Sequence, residues 1–352
     1  MPAGEPRAQP ASAPARPRQC AEPAERRAKT AILLVNLGSP DAPTEEAVRR
    51  YLDEFLSDRR VVEIPPLIWQ PILKLFVLRS RPKISAANYA KIWDREANES
   101  PLKAITRAQA QALEGVFGDD VIIGWAMRYG APSLGERLTL LRDAGCSNLI
   151  VAPLYPQYAG ATTGTVQDEV ARQLQRIGWR PALWTLPPYY DHPAYIAALK
   201  TSVERQLAAL DFQPEAILLS FHGLPKRTVE RGDPYERQCR ETARLLRAAC
   251  GRSEAEMPLA FQSRFGRAEW LRPYTQPLLE EMARSGIRRV AVLTPGFAAD
   301  CIETLEEIAM EARHAFLAAG GTDFAALTCL NASDEGIAML HRLMGEQLAA
   351  TG

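Results

Sequence analysis

The stretch AILLSFHGLP, residues 216–225, decides the fold of this chain. Its first six residues form a short apolar run that is typical of a buried parallel strand. A second such run, VAVLT at residues 290–294, is followed by Pro295 and Gly296. In open α/β sheets, ligands bind beyond the carboxyl ends of the strands. The segments that follow these two runs are therefore predicted to face one cleft.

Apolar runs alternate with helical patterns along the whole chain. Strands are predicted at residues 31–36, 121–125, 148–152, 181–186, 216–221, 259–262, 290–294 and 325–328. Helices are predicted at residues 44–56 (with Thr44 as N-cap), 133–144, 165–177, 236–249, 278–284, 302–318 and 333–348. This alternation predicts parallel sheets with right-handed crossovers. The fold class is α/β, with two Rossmann-like domains, each a parallel sheet flanked by helices, and an active-site cleft between them.

Length and composition suggest how the chain is divided. With 352 residues, 47% of them hydrophobic, it exceeds a single typical core. We predict a first Rossmann-like domain over residues 29–190 and a second over residues 191–330. A C-terminal helix in residues 331–352 is expected to pack back on the first domain. Residues 1–28 are rich in Pro, Ala and Arg and are predicted to form a disordered tail.

Charge and motifs exclude several classes of partner. Lys+Arg and Asp+Glu are both 42, and this balance argues against a nucleic-acid-binding protein. Neither half carries a Gly-x-Gly-x-x-Gly fingerprint or a P-loop, so we expect no nucleotide. Cysteines are scattered, and no two form a Cys-x-x-Cys pair, as in a protein of the reducing cytosol. We therefore predict a cytoplasmic protein.

Residues 64–78 form the longest apolar stretch, which we call the apolar lip. Pro65, Pro66, Pro71, Gln70 and Lys74 interrupt it. A membrane span needs about 20 continuous apolar residues, so this stretch is not a span. We expect an apolar lip at the surface of the first domain that makes a peripheral membrane contact.

A histidine and a set of carboxylates follow the two apolar runs that define the cleft. His222 ends the first run, and Asp300, Glu303, Glu307 and Glu311 follow the second at spacings that place them on one face of a helix. Imidazole opposite carboxylates can bind Fe(II) and move protons. The alternatives are a solvated acidic helix face and a histidine that only satisfies a turn.

A second group of side chains is basic and aromatic. Its members are Arg79, Arg81, Lys83, Tyr89, Arg128 and Tyr129. A flat apolar ligand with peripheral carboxylates would need such neighbours, and the alternative is an ordinary surface loop. Trp270 is either a stacking wall for that ligand or a core residue.

Taken together, these segments resemble the ferrochelatase family, whose members insert ferrous iron into a porphyrin. The matching segments are LVNLGSP (34–40), RYGAP (128–132), YPQY (155–158), TTG (162–164), SFHGLP (220–225), RGDPY (231–235), FQSRFG (261–266), PGF (295–297) and DCIETL (300–305). The similarity covers about residues 30 to 345. Because several motifs occur in the right order, the resemblance is specific.

The resemblance implies roles for individual residues. His222 corresponds to the catalytic histidine, a metal ligand and proton acceptor, and Glu303 to the opposing catalytic and metal-binding glutamate. Asp300, Glu307 and Glu311 correspond to an acidic path that leads away from the pocket. The implied porphyrin-binding residues are Leu37, Arg81, Tyr89, Arg128, Tyr129 and Trp270. The implied substrates are protoporphyrin IX and Fe²⁺, and the implied reaction is the terminal step of heme biosynthesis.

Two departures from the family pattern concern cysteine. Some members have a histidine where this chain has Cys301, which leaves a third-ligand role at this position open. Other members carry a [2Fe–2S] cluster, which needs about four cysteine ligands. We expect no cluster here and no permanently bound cofactor, with Fe²⁺ as a substrate.

Other functions stay open at this point. One alternative is a chelatase specific for coproporphyrin or for another metal. Another is a non-catalytic two-lobed protein that binds a tetrapyrrole or a metal. A dinucleotide-dependent oxidoreductase is disfavoured because the glycine-rich fingerprint is missing.

Overall fold

The computed structural model describes residues 29–266 and 268–351, and within them eight strands form two parallel sheets. The first sheet has the order β2-β1-β3-β4 and comprises β1 (Lys29–Gly38), β2 (Val121–Tyr129), β3 (Cys146–Pro153) and β4 (Ala182–Thr185). The second has the order β6-β5-β7-β8 and comprises β5 (Ala216–His222), β6 (Leu259–Gln262), β7 (Arg289–Leu293) and β8 (Asp323–Ala326). The predicted fold class is confirmed. The predicted tail lies outside the described residues.

Helices cover both sheets. The α-helices are α1 (Glu45–Ser57), α2 (Pro66–Ile72), α3 (Leu78–Ile92), α4 (Pro101–Leu113), α5 (Leu134–Asp143), α6 (Thr165–Ile177), α7 (Pro193–Ala208), α8 (Lys226–Glu230), α9 (Tyr235–Cys250), α10 (Thr275–Arg284), α11 (Arg313–Ala318) and α12 (Asp334–Thr351). Wider π-helical segments are Leu73–Val77, Gly160–Gly164 and Glu303–Ala312. In the described part of the chain, no helix is both long and apolar enough to cross a bilayer.

Local sequence explains where several helices begin. Thr44 caps α1 as predicted, with its hydroxyl accepting a hydrogen bond from the Ala47 amide. Ser133 and Glu136 form a capping box at α5. The apolar lip is itself helical, which sequence reasoning did not predict. Pro66 stands at the start of α2, where its missing N–H costs no intrahelical hydrogen bond.

The side chains of both central strands alternate between two cores. Ile32 and Leu34 of β1 share one buried cluster with Ile217 and Leu219 of β5. The side chains of opposite parity in each strand face separate clusters under the outer helices. The two sheets are therefore joined through a common apolar core.

The C-terminal helix contacts elements on both sides of that core. Helix α12 packs against α7 and also against α4. Just before it, the Asn331 carbonyl accepts a hydrogen bond of 2.8 Å from the Gln109 side chain of α4. The domain boundary near residue 191 stays a prediction.

Strand order locates the crevice of each sheet. In both sheets the chain passes from the central strand to one neighbour and then crosses to the other side. In a doubly wound sheet, ligands bind at such a switch point, beyond the carboxyl ends of the strands. The switch points lie between β1 and β3 and between β5 and β7. The loops that follow these four strands are therefore the site-forming segments.

The end of β1 packs closely against β2 at Gly38, and a substitution there can test this close approach. The φ of Gly38 is +109°, and a Cβ there would lie 1.9 Å from the Tyr129 carbonyl oxygen of β2. We expect Gly38→Ala to lower the free energy of unfolding in urea by at least about 3 kcal/mol. Gly118→Ala is the matched control, because its φ is +89° but a Cβ would meet no atom within 4 Å. It should cost only about 1 kcal/mol. Equal losses would contradict the steric explanation.

Candidate active site

His222 lies at the carboxyl end of β5, opposite Gln262 at the end of β6. The following residue, Gly223, donates its amide hydrogen to the Gln262 carbonyl at 2.8 Å. A Cβ on Gly223 would lie 2.6 Å from that oxygen and 3.1 Å from the Trp270 ring. Glycine is therefore needed for the chain to turn against β6 immediately after the histidine.

The His222 ring has one nitrogen engaged. Its Nδ1 lies 2.7 Å from the Gly223 carbonyl oxygen. Because a carbonyl oxygen only accepts, Nδ1 carries the hydrogen in this contact and the neutral ring keeps its lone pair on Nε2. The ring centroid lies 6.4 Å from that of Phe297, which belongs to the loop after β7. The half-buried histidine thus has a basic nitrogen free for a proton or a metal ion.

Glu303 opens the π-helix that follows β7 and is half-buried. Its charge acts on three tyrosines of the first half of the chain. Burial raises the pKa of Tyr51, Tyr89 and Tyr155 well above the usual value, and Glu303 raises it further. The Glu303 charge therefore lies within electrostatic reach of three tyrosines from the first half of the chain.

Glu307 connects the histidine with Glu303. The Ser263 amide donates a hydrogen bond of 2.7 Å to one oxygen of its carboxylate, and the Ser263 hydroxyl donates to the other. Burial raises the pKa of Glu307, whereas the Ser263 hydrogen bonds and His222 act to lower it and Glu303 to raise it. Gln262, which pairs with His222 in the sheet, donates to the Glu303 backbone carbonyl at 2.9 Å and to the Glu307 carboxylate at 3.4 Å. His222, Glu303 and Glu307 are thus brought together around the end of β6, and we call them the cleft cluster.

The other two predicted carboxylates, Asp300 and Glu311, lie outside the cleft cluster. Asp300 precedes the π-helix, so it does not share one helix face with Glu303, Glu307 and Glu311 as the spacing predicted. Its buried carboxylate accepts hydrogen bonds from Thr304 (2.8 Å) and Asn331 (2.6 Å). The loop after β7 turns toward α12 at this point, which carries Asp300 away from the cleft cluster.

Glu311 is exposed near the far end of the π-helix. Partial desolvation of its carboxylate raises its pKa, and the neighbouring Glu306 raises it further. Glu306 is itself buried and paired with Lys91 of α3 at 2.6 Å. Glu311 therefore belongs to a second charged group, beside Lys91 and Glu306.

Arg128 and Tyr129 belong to a hydrogen-bond network around Asp58, and their predicted contact with porphyrin stays a prediction. Tyr129 is fully buried, and its hydroxyl donates to the Asp58 carboxylate at 2.9 Å. The Arg128 guanidinium also binds Asp58, at 2.5 Å, and donates to the Thr165 hydroxyl at 2.8 Å. These residues tie the loop after α1 to β2 and α6. Their role in the structure is therefore to anchor the base of the apolar lip.

The remaining predicted porphyrin-binding residues make local contacts, and their role with the porphyrin stays a prediction. Leu37 and Phe297 both pack against a small apolar cluster of Leu102, Ala299 and Cys301. Tyr89 is buried edge-on against Trp93, at 6.4 Å between ring centroids. The Arg81 guanidinium lies 4.3 Å from the centroid of the Phe265 ring, so α3 contacts the loop after β6.

Trp270 packs on the glycine that follows His222. It is half-buried, and its indole Nε1 has no hydrogen-bond partner among the described residues. Sequence reasoning left the choice between wall and core open. The contact places Trp270 directly beside the catalytic candidate.

Sequence reasoning missed several polar residues of the site. Gln262 ends a predicted strand and Ser263 follows it directly. A position at the carboxyl end of a strand is also what pointed to His222, so the same signal could have found these two residues. No such signal marks Asp58, whose partners come from distant segments. Among the described residues, no three His, Cys, Asp or Glu side chains converge to hold a metal ion.

Comparison with known proteins decides the family. The ferrochelatase family profile matches residues 29–348, which is most of the chain. The chain belongs to the ferrochelatase family. The resemblance read from the motifs is therefore confirmed.

Individual relatives within the ferrochelatase family agree with this assignment. The ferrochelatase of Methylocella silvestris is 52% identical over 335 residues, which cover 93% of this chain and 96% of the relative. The ferrochelatase of Gluconobacter oxydans is 51% identical over 322 residues, 91% of this chain and 94% of the relative.

Solved structures show the same fold at low sequence identity. SirB from Bacillus subtilis with Fe³⁺ matches with a TM-score of 0.57 and 11% identity, over 92% of this chain and 97% of SirB. The sirohydrochlorin chelatase SirB from B. subtilis subspecies spizizenii, in complex with cobalt, matches with a TM-score of 0.52 and 12% identity, over 90% and 94%. The two-domain Rossmann-like fold is thus shared with these chelatases.

The Asp58 network yields a test of stability. Burial would raise the pKa of Asp58, but hydrogen bonds from Thr165, Arg60 and Tyr129 and the charge of Arg128 outweigh it and lower the pKa. Ionised Asp58 therefore stabilises the fold above about pH 4, and this contribution is lost as the pH falls through the lowered pKa. We expect Asp58→Asn to lower the free energy of unfolding at pH 7 by about 3 kcal/mol and to flatten its acid dependence.

Asp41→Asn is the control, because Asp41 and Arg50 form an exposed pair at 3.8 Å. It should change the free energy of unfolding by less than about 1 kcal/mol. Urea titrations of both variants between about pH 2 and pH 7 measure the difference. Similar curves for the two variants would contradict a structural role for the network.

Proposed function

We propose that this chain inserts ferrous iron into protoporphyrin IX to give protoheme with release of two protons, the terminal step of heme biosynthesis. The cleft cluster carries this conclusion, because it sets an imidazole with a free nitrogen beside two carboxylates in a chain of the ferrochelatase family. Fe²⁺ enters as a substrate. No resident cofactor is part of the proposal.

The reaction exchanges two pyrrole protons for one Fe²⁺, so it needs a base beside the ring. The Nε2 atom of His222 has a free lone pair and is suited to be this base, since an imidazole accepts protons near neutral pH. A second proton needs a further acceptor in reach. The carboxylate of Glu307, whose pKa burial raises, is suited to take up and pass on a proton.

Iron must exchange its water ligands for protein ligands before it enters the ring. Imidazole and carboxylate together suit Fe(II), and we propose that His222 and Glu303 are its ligands in the cleft. Glu307 and Glu311 would continue an acidic path along the π-helix. Asp300 is not part of this path, because Asn331 and Thr304 hold its carboxylate.

For the macrocycle we propose contacts from Leu37, Arg81, Tyr89 and Trp270. Arg81 would attract a peripheral propionate, and the apolar side chains would hold the ring in a bent form. Strain of about 1–5 kcal/mol in a bound substrate can be offset by remote binding contacts. Arg128 and Tyr129 act indirectly, by fixing the base of the apolar lip.

Turnover is tested by anaerobic incubation with Fe²⁺ and protoporphyrin IX, following the visible absorption change. We expect His222→Ala to lower kcat by at least about 100-fold, because the proton acceptor is lost. Glu303→Gln should lower kcat/KM for Fe²⁺, because a ligand charge is lost. His314→Ala is the control, since His314 is exposed on α11. Near-normal metal insertion by His222→Ala would overturn its role as proton acceptor.

The same assay separates the alternatives. A carrier would bind one equivalent of porphyrin and stop without turnover. Faster reaction with coproporphyrin, or with Co²⁺ in place of Fe²⁺, would identify a chelatase of different specificity.

We also propose a peripheral membrane contact through the apolar lip. Leu67 is 92% exposed, Phe76 68%, Ile68 58% and Leu75 50%. Apolar side chains so close together at the surface are a feature of interaction sites. A bilayer fits as partner because porphyrins are themselves flat and apolar and would enter from it.

Leu67→Asp tests this contact by sedimentation with vesicles of phosphatidylcholine and phosphatidylglycerol. Removing one inserted leucine and adding a charge should lower the bound fraction at least about 10-fold. Leu140→Asp is the control, because Leu140 is 57% exposed on α5, away from the lip. Equal binding of both variants, or no binding by the unmodified protein, would refute the contact.

A further inference from the structure

Ser263 follows β6 directly and has an unusual backbone conformation. Its φ is +63°, in the left-handed region that favours glycine. Within the described residues, the other non-glycine positions of positive φ are Asn98 and Asn331. Asparagine tolerates this region and serine does so less readily. The conformation is thus held by surrounding contacts, as at many functional sites.

The left-handed turn directs two donors to the same carboxylate. The amide of Ser263 lies 2.7 Å from Oε1 of Glu307, and the hydroxyl donates to Oε2. Each carboxylate oxygen thereby has its own donor. Rotation of the carboxylate about its last bond would break both hydrogen bonds, so its orientation is fixed.

Glu307 needs such support because of its surroundings. It is half-buried, and its carboxylate lies close to the like charge of Glu303. Gln262 reinforces the same arrangement by donating a hydrogen bond of 2.9 Å to the Glu303 backbone carbonyl. Without these donors, the carboxylate would gain by turning away from Glu303 toward water.

We propose that Ser263 is a positioning residue for the metal step, which holds the Glu307 carboxylate in the cleft cluster beside His222 and Glu303. This inference rests on the proposed function. Ser263 itself touches neither the iron nor the porphyrin in this role. It acts by presenting its amide and hydroxyl together, which only its left-handed conformation allows.

A second serine shows what a local role looks like. The amide and hydroxyl of Ser253 both donate to Glu256, at 2.8 and 2.7 Å. That pair is exposed and three residues apart, so it only closes a turn. Ser263 and Glu307 are 44 residues apart and join the end of β6 to the π-helix.

Ser263→Gly is the decisive variant, because glycine adopts the same φ without strain and keeps the amide donor. Only the hydroxyl is lost. We expect kcat/KM for Fe²⁺ to fall about 10-fold, as is usual for a group that orients a metal-binding side chain. KM for porphyrin and Tm should stay unchanged. Ser253→Gly, the matched control, should leave all of these quantities unchanged.

A double variant separates positioning of Glu307 from any other effect. If Ser263 acts through this carboxylate, Ser263→Gly should cause no further loss in the background of Glu307→Gln. Multiplying losses in the double variant, or unchanged kcat/KM for Fe²⁺ in Ser263→Gly, would overturn the inference. A lower Tm with equal losses for both substrates would assign a merely structural role and overturn it as well.

The proposed function is tested separately, by the turnover of the unmodified protein. If the unmodified protein inserts no metal, the proposed function fails. If it turns over and Ser263→Gly does so equally well, only the positioning role fails.

Discussion

The register of β5 between β6 and β7 determines where every group of the cleft lies. It pairs His222 with Gln262 at the carboxyl edge of the sheet. A slip of one residue would turn the side chains of β5 to the opposite face and move the histidine with them. Because β5 is central, its neighbours deliver Ser263 on one side and the π-helix on the other. The site is thus a consequence of strand pairing more than of any single loop.

The cleft cluster is unfavourable by itself, since it brings two carboxylates together in a partly desolvated place. Hydrogen-bond donors compensate. Ser263 donates its amide to the Glu307 carboxylate at 2.7 Å, and Gln262 donates to the same carboxylate at 3.4 Å and to the Glu303 backbone carbonyl at 2.9 Å. Burial raises the pKa of the neighbouring Cys301 thiol well above its usual value, and Glu303 raises it further, so this thiol stays protonated. Carboxylates held in this way are ready to meet a cation or a proton, which fits a ferrochelatase.

One group of charged residues in this fold is structural and is separate from the cleft cluster. Arg128 and Asp58 form a pair whose side chains are 10% and 13% exposed, and Tyr129 and Thr165 complete their hydrogen bonds. Removing one member would leave a buried charge without a partner, so the group acts as an anchor. The apolar lip therefore starts from a rigid point while its own apolar side chains stay at the surface. An arginine beside an active site is here a structural residue.

The sequence alone determined the two parallel sheets, because each strand is a short apolar run and each helix has a 3.6-residue pattern or a cap, and these signals are local. It also predicts His222 and Glu303 as site residues, since both follow such runs and lie in family motifs. It did not reveal that Asp300 faces Asn331, that Tyr129 is buried on Asp58, or that Ser263 holds Glu307. Those pairings join residues that are distant along the chain. Only tertiary packing decides which of them meet, because the same side chain satisfies its hydrogen bonds equally well with water or with any neighbour that the fold provides.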